Sequence, residues 1–181
     1  TIDKLAEKVG DFMIIGKGAR GPNPDQYIVN TFGAHFAEVE VDMETGEVTV
    51  LSIVAVHEFG RVINPLTLSS QVEGGAIQGL GFGLYEGRIV DRNTGKSVNP
   101  NLEDYKIPTA MDIPDIVPQV VDQVDPIATS IGSKGAGEPP IIPPAAAVAN
   151  AVCDAIGVRI YDLPITPAKV LDALKKSGGE A

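Results

Sequence analysis

Glu138 is the side chain in this sequence best placed to do chemistry. It closes the run Gly132-Ser133-Lys134-Gly135-Ala136-Gly137-Glu138-Pro139-Pro140. Glycine and alanine let a backbone come close to whatever it faces, and the prolines that follow fix its course, so the loop delivers one carboxylate on a shaped scaffold. A solvated glycine-proline turn with an incidental acid has the same composition, and the loop alone leaves both readings open. A second gathering of polar groups among glycines is Gln71-Val72-Glu73-Gly74-Gly75-Ala76-Ile77-Gln78-Gly79-Leu80-Gly81. Each glycine inside a helix costs about 1 kcal/mol relative to alanine, so something must approach this segment closely. Tight packing against another backbone meets that requirement, and so does a ligand at the N-terminal turns, where anionic groups are favoured.

Other reactive residue types point to structure. His57 stands near the end of an apolar strand and His35 in mid-strand, with no spacing that suggests a zinc pair. Asp42, Glu44 and Gly46 lack the later bidentate acid of a calcium loop. The single cysteine, Cys153, excludes an internal disulfide or a cysteine-rich metal cluster in this chain, and its Ala/Val/Ile surroundings suit a buried thiol. Gly16-Lys17-Gly18-Ala19-Arg20-Gly21 spells a dinucleotide-binding fingerprint, but Pro22-Asn23-Pro24 follows where the fingerprint needs a helix, so a glycine-rich connection is expected.

The elements that must position these residues follow from periodicity. Ile2, Leu5, Ala6 and Val9 repeat at helical spacing up to Gly10, and Phe12 to Ile15 read as a short strand. From Ile28 to Val56 the pattern has period two, with Ala37, Val39, Val41 and Met43 alternating with acids, and Thr45-Gly46 marks the turn of a hairpin with one wet and one buried face. Leu66 to Glu86 has the length of a helix. Gly87 to Val98 suggests a second hairpin turning at Asn93-Thr94-Gly95. Prolines scattered through Asn99 to Pro118 predict an extended segment, and Val117 to Val124 a strand. Ala145 to Ile156 is an almost wholly apolar helix, expected to be buried, with Gly157 as its C-terminal cap. Thr166-Pro167 opens a last helix through Val170, Leu171 and Leu174, ending at Gly178-Gly179.

At 181 residues the chain can bury one core, and 44% hydrophobic against 21% charged residues indicates a globular protein. A net charge of −10 without Lys/Arg clustering argues against nucleic acid as a partner. No apolar run comes near the length of a membrane-spanning helix and no signal peptide is visible, so a cytoplasmic protein without membrane contact is expected. The chain starts without Met, which suggests a piece of something longer.

Three ordered segments together resemble one family. They are the Gln71–Gly81 run, Asp104-Tyr105-Lys106-Ile107-Pro108, and Ser133 to Pro140, with Leu163-Pro164-Ile165-Thr166-Pro167 matching the expected terminus. The chain is similar to the C-terminal portion of the molybdopterin-binding large subunit of the xanthine dehydrogenase, or molybdenum hydroxylase, family. The resemblance implies a single α+β domain over residues 1–181, made of β-hairpins and glycine-rich helices and belonging to a larger molybdenum-binding subunit, as a split-gene product or a fragment. It implies an oxidoreductase that hydroxylates an N-heterocycle or an aldehyde with oxygen from water. Glu138 would be its general base, a partly buried carboxylate. Gln71 would donate a hydrogen bond near the metal, and Ser133, Lys134, Gly135, Ala136 and Gly137 would lie against the cofactor. That cofactor would be molybdopterin, in the cytosine dinucleotide form, shared with a partner chain that completes the subunit, while iron–sulfur clusters and FAD would reside on partner subunits. Glu58 departs from the aspartate that often stands at its place in the family. A non-catalytic structural or assembly subunit of such a complex is the alternative.

Overall fold

The computed structural model describes residues 2–9, 15–19 and 21–178. In chain order it contains α1 (Ile2–Val9), β1 (Phe32–Val41), β2 (Val48–Glu58), α2 (Pro65–Leu84), β3 (Asp115–Val121), a 3-10 turn (Pro139–Ile141), α3 (Pro144–Ile156) and α4 (Pro167–Gly178). The strands form one sheet in the order β1-β2-β3, with β1 antiparallel and β3 parallel to β2. The fold is therefore mixed helix and strand with a small sheet. Most of the expected strand at Phe12–Ile15, and the residues beyond Gly178, lie outside the described residues.

The hairpin forms where the alternation places it. Asp42 Oδ1 accepts from the amides of Glu44 and Thr45, and Gly46 adopts φ 77°, so the acid serves its own turn. Those amides, Thr45's first, hold the Asp42 carboxyl below the usual carboxylate range. Glu38 pairs with Ser52 and Val39 with Val50, which leaves Leu51 as the extra residue of a bulge. Beyond that bulge Ile53, Ala55 and His57 face inward. The second hairpin shrinks to one bridge, Val90 with Ser97, around the expected turn. Asn99 clamps it, donating to the Gly87 carbonyl and accepting from the Ile89 amide. The strand expected from Val117 starts instead at Asp115. Pro118 is tolerated inside it because β3 is an edge strand, where a missing N–H need not break a ladder.

The main core lies between the inner face of β1 and β2 and one side of α2 and α3. Ile53, Leu80, Val148 and Val152 meet there, and Ile165 and Val170 close the end. Full burial of such side chains contributes roughly 1.5–3 kcal/mol each. Only Pro144 and the Val148, Val152, Ile156 stripe of α3 are buried, which corrects the expectation of a helix enclosed on all sides. A second correction concerns length. The run Pro139–Ile156 reaches 18 residues at mean hydropathy 1.2, although its prolines confine the α-helix to 13 residues.

The glycines of α2 separate by environment. Carbon added at Gly79 would stand 2.7 Å from the Ile141 carbonyl oxygen and from Pro144, and at Gly75 it would press on Pro140. Close packing of the 3-10 turn and α3 thus accounts for both. Gly74 faces open space. Gly74→Ala should therefore raise stability by about 0.5–1 kcal/mol, and Gly79→Ala should lower it by about 1–3 kcal/mol. Urea denaturation checks both, and equal effects would contradict this packing.

Candidate functional site

The loop expected to carry chemistry is pinned to the end of β2 by backbone. Gly60 and Ser133 form an antiparallel bridge, the Lys134 amide donates to the Phe59 carbonyl at 2.7 Å, and the Arg61 amide donates to the Gly132 carbonyl at 2.7 Å. This close approach requires left-handed backbone at Gly60 (φ 69°) and Gly132 (φ 76°). Thr129 adds side-chain bonds to both the amide and the carbonyl of Ser133. Below the loop Ala136 packs on Phe59 and Val72.

Charge completes the attachment. Lys134 Nζ lies 2.7 Å from Glu58 Oε2 and 3.2 Å from Asp125 Oδ2, and also donates to the Asn30 carbonyl at 3.1 Å. Glu58 is buried, and its other oxygen accepts from the Gly60 amide. The hydrogen bond to Glu58 is the main cause that raises the Lys134 pKa, so the ammonium stays charged. Asp125 is held below the usual carboxylate range, first by the Ile127 amide and then by Lys134. The Lys134 side chain is thus directed at its own protein.

Beyond this anchor the loop is open. The amides of Gly135, Ala136, Gly137 and Glu138 donate no hydrogen bond among the described residues. Gly135 has open space where a side chain would stand, and the only atom near the corresponding point at Gly137 is Gln71 Oε1, at 4.0 Å. Glu138 precedes the 3-10 turn, and its side chain makes no hydrogen bond among the described residues. It is exposed, which corrects the expectation of a partly buried carboxylate, because none of the described residues covers it. A pocket of about 540 Å³, lined among others by Ser133, Gly135, Gly137, Glu138, Asn30 and Thr31, opens on one side of the loop. A second cleft, of about 340 Å³, is lined by Arg61, Asn64, Thr67, Gln71, Ser133 and Ala136. The structure thus gathers all seven expected residues around one loop, with Glu138 lining the first cavity and Gln71 the second.

Sequence reading missed two pairings made across long separations. One is the Glu58–Lys134 contact. The other joins His35 and His57, which the hairpin register brings diagonally together with Nε2 atoms 2.6 Å apart. One ring donates to the other, and neither Nδ1 has a partner among the described residues. His57 stacks on Phe59 at 5.1 Å. Among the described residues no group of three or more metal-ligating side chains exists. Burial, with the His57 charge second, holds His35 down at about 4, and burial lowers His57 too.

Against known proteins, a family described as molybdopterin cofactor-binding domain matches residues 9–114. The chain belongs to this family. It is 42% identical over 147 residues to the xanthine dehydrogenase molybdenum-binding subunit of Escherichia coli O157:H7, covering 81% of this chain and 19% of that subunit. It is also 42% identical over 149 residues to the aldehyde oxidoreductase molybdenum-binding subunit of Escherichia coli K12, covering 82% and 20%. Among solved structures, quinoline 2-oxidoreductase from Pseudomonas putida 86 matches with TM-score 0.73 and 36% identity over 80% of this chain and 18% of that one. The chain thus spans about a fifth of the length of these relatives. A stretch of 147 residues takes in both Gln71 and Glu138 wherever it starts in a chain of 181.

Two outcomes follow from this geometry. Lys134→Met leaves the Glu58 carboxylate buried without its cation and should cost about 2 kcal/mol, below the 3–5 of a fully enclosed pair because the lysine side chain is 12% exposed; chemical denaturation reads it, and an unchanged midpoint would contradict the anchoring role. The second is pH dependence. The His35 pKa lies below its ordinary 6.5 in the fold, so the unfolded chain takes up the proton first. This contribution to stability is present above pH 6.5 and is lost as pH falls toward about 4. His35→Phe should flatten the fall of the melting temperature across that window; equal slopes in both proteins would contradict the pairing.

Proposed function

We propose that this chain is a single α+β domain, the C-terminal part of a molybdenum hydroxylase subunit, and that it carries the general base of the reaction on Glu138. The observation that supports this reading most is the loop itself: four amides and one carboxylate without hydrogen-bond partners among the described residues, open space beside Gly135, and only Gln71 Oε1, at 4.0 Å, beside Gly137, all lining or adjoining a pocket of about 540 Å³.

The residues suit molybdopterin in kind. The cradle offers hydrogen-bond donors and small side chains where a bulky polar group can lie, and no cluster of metal ligands among the described residues, which fits a metal held by its cofactor. The amides of Gly135 to Glu138 and the Gln71 carboxamide would hold the cofactor, in its cytosine dinucleotide form, and Ser133 would flank it. Lys134 would act by fixing the loop's course through Glu58. When bound, the group supplies molybdenum as acceptor of the two electrons that leave the substrate. The Glu138 carboxylate takes up the proton released as water-derived oxygen is transferred to the substrate carbon, and a base so positioned contributes typically 10²–10⁴-fold. Its exposure means that water must be excluded by a second polypeptide, the remainder of the subunit.

The substrate class is an N-heterocycle or an aldehyde, in keeping with relatives named for xanthine, aldehyde and quinoline oxidation. Partner subunits with iron–sulfur clusters and FAD would carry the electrons away. In the assembled enzyme Glu138→Gln should lower kcat by about 10²-fold or more with the molybdenum content unchanged. Turnover within a few-fold of normal would contradict the general-base role and favour an assembly role instead.

A further inference from the structure

The core lies on one face of the sheet, and the other face is largely apolar. Beyond the Leu51 bulge, its positions carry Phe32, Ala34 and Phe36 on β1, Val54 and Val56 on β2, and Val117 and Val121 on β3, interrupted by Gln119 and bounded by Glu58, which pairs with Lys134. Phe32 and Phe36 are each 65% exposed. A hairpin with one solvated face should alternate apolar and polar residues, and β1 does so only from Ala37 onward, where Glu38 and Glu40 point outward. In β2, Ile53-Val54-Ala55-Val56 is apolar without interruption, the pattern of a strand covered on both sides.

The two edges of the sheet differ in the same sense. Pro118 blunts the β3 edge, and among the described residues the outer edge of β1 pairs with nothing. Its first half, Phe32 to Ala37, contains neither proline nor lysine, the usual protections of an edge that stays free. The face also continues into the candidate site, since Phe32 lines a cleft together with Glu58, Asp125 and Lys134. These relatives are about four times as long as this chain, so their subunits contain a large polypeptide with no counterpart here.

We propose that the outer sheet face and the free edge of β1 seat that polypeptide, the part of the subunit equivalent to the four-fifths of its relatives that this chain does not match. An extended segment adds to the Phe32–Ala37 edge through backbone hydrogen bonds, and apolar side chains cover Phe36, Val54 and Val117. This docking brings the partner beside Lys134 and the loop that it anchors. The inference rests on the function proposed above for Glu138 and specifies where the partner joins.

The probe is the aldehyde oxidoreductase molybdenum-binding subunit of Escherichia coli with the matched 149 residues removed, coexpressed with a tagged copy of the full chain. The unaltered chain should capture it near one to one, with slowed hydrogen exchange across Phe32–Ala37. Phe32→Glu and Phe36→Glu, both at exposed positions, should together reduce capture by about tenfold or more while the melting temperature of the free chain stays unchanged. Glu40→Lys, on the same strand beyond the patch, should capture normally. No capture by the unaltered chain, capture that survives both phenylalanine substitutions, or a self-dimer abolished by them would each overturn the proposal. A Glu138→Gln chain that assembles normally and turns over normally would remove the general-base reading and leave the docking surface standing.

Discussion

The candidate site depends on one contact, the buried pairing of Lys134 with Glu58. Glu58 ends β2 and Lys134 lies 76 residues later in the loop, yet they meet at 2.7 Å with both side chains largely buried. A charge pair of this kind contributes little net stability once desolvation is counted, but it is specific, because either partner left alone is costly. Together with the bonds from Phe59 and Arg61 to the loop backbone, it fixes where Gly135 to Glu138 can go. The amides of those residues then donate no hydrogen bond among the described residues, because their neighbours hold the loop for them.

The same contact explains a division of labour within the motif. Lys134 looks like a cofactor-binding residue on sequence, and its ammonium turns instead toward Glu58 and Asp125. Ala136 faces the apolar floor of Phe59 and Val72, while Gly135 faces open space and Gly137 has Gln71 Oε1 4.0 Å from where a side chain would start. Small residues thus serve two purposes within a few positions, packing below and clearance above. The glycines of α2 divide similarly. Gly75 and Gly79 are explained by the prolines that press on them, which leaves Gln71, one side chain away from Gly137, as the part of that helix directed at the site.

Much of this was legible in the sequence. Alternation around Thr45-Gly46 located the hairpin, the Gln71–Gly81 run fell within one helix, and Gly157 capped α3 as its position requires. What was not legible depended on distant contacts. The extent of β3 is set by its parallel pairing with β2, which overrides Pro118, and no local pattern reports that. The His35–His57 pair requires knowledge of the register. Glu58 pairs with a lysine that no spacing rule connects to it. The exposure of Glu138 and of one side of α3 depends on what packs around them in three dimensions, which local composition does not report.

On the proposed function this chain supplies one wall of the site and another polypeptide supplies the rest. Molybdenum analysis of the chain purified alone from a host that makes the cofactor tests this most directly. The expected metal content is far below one atom per chain. Stoichiometric, tightly held molybdenum would contradict it, because the described residues would then form a complete site by themselves.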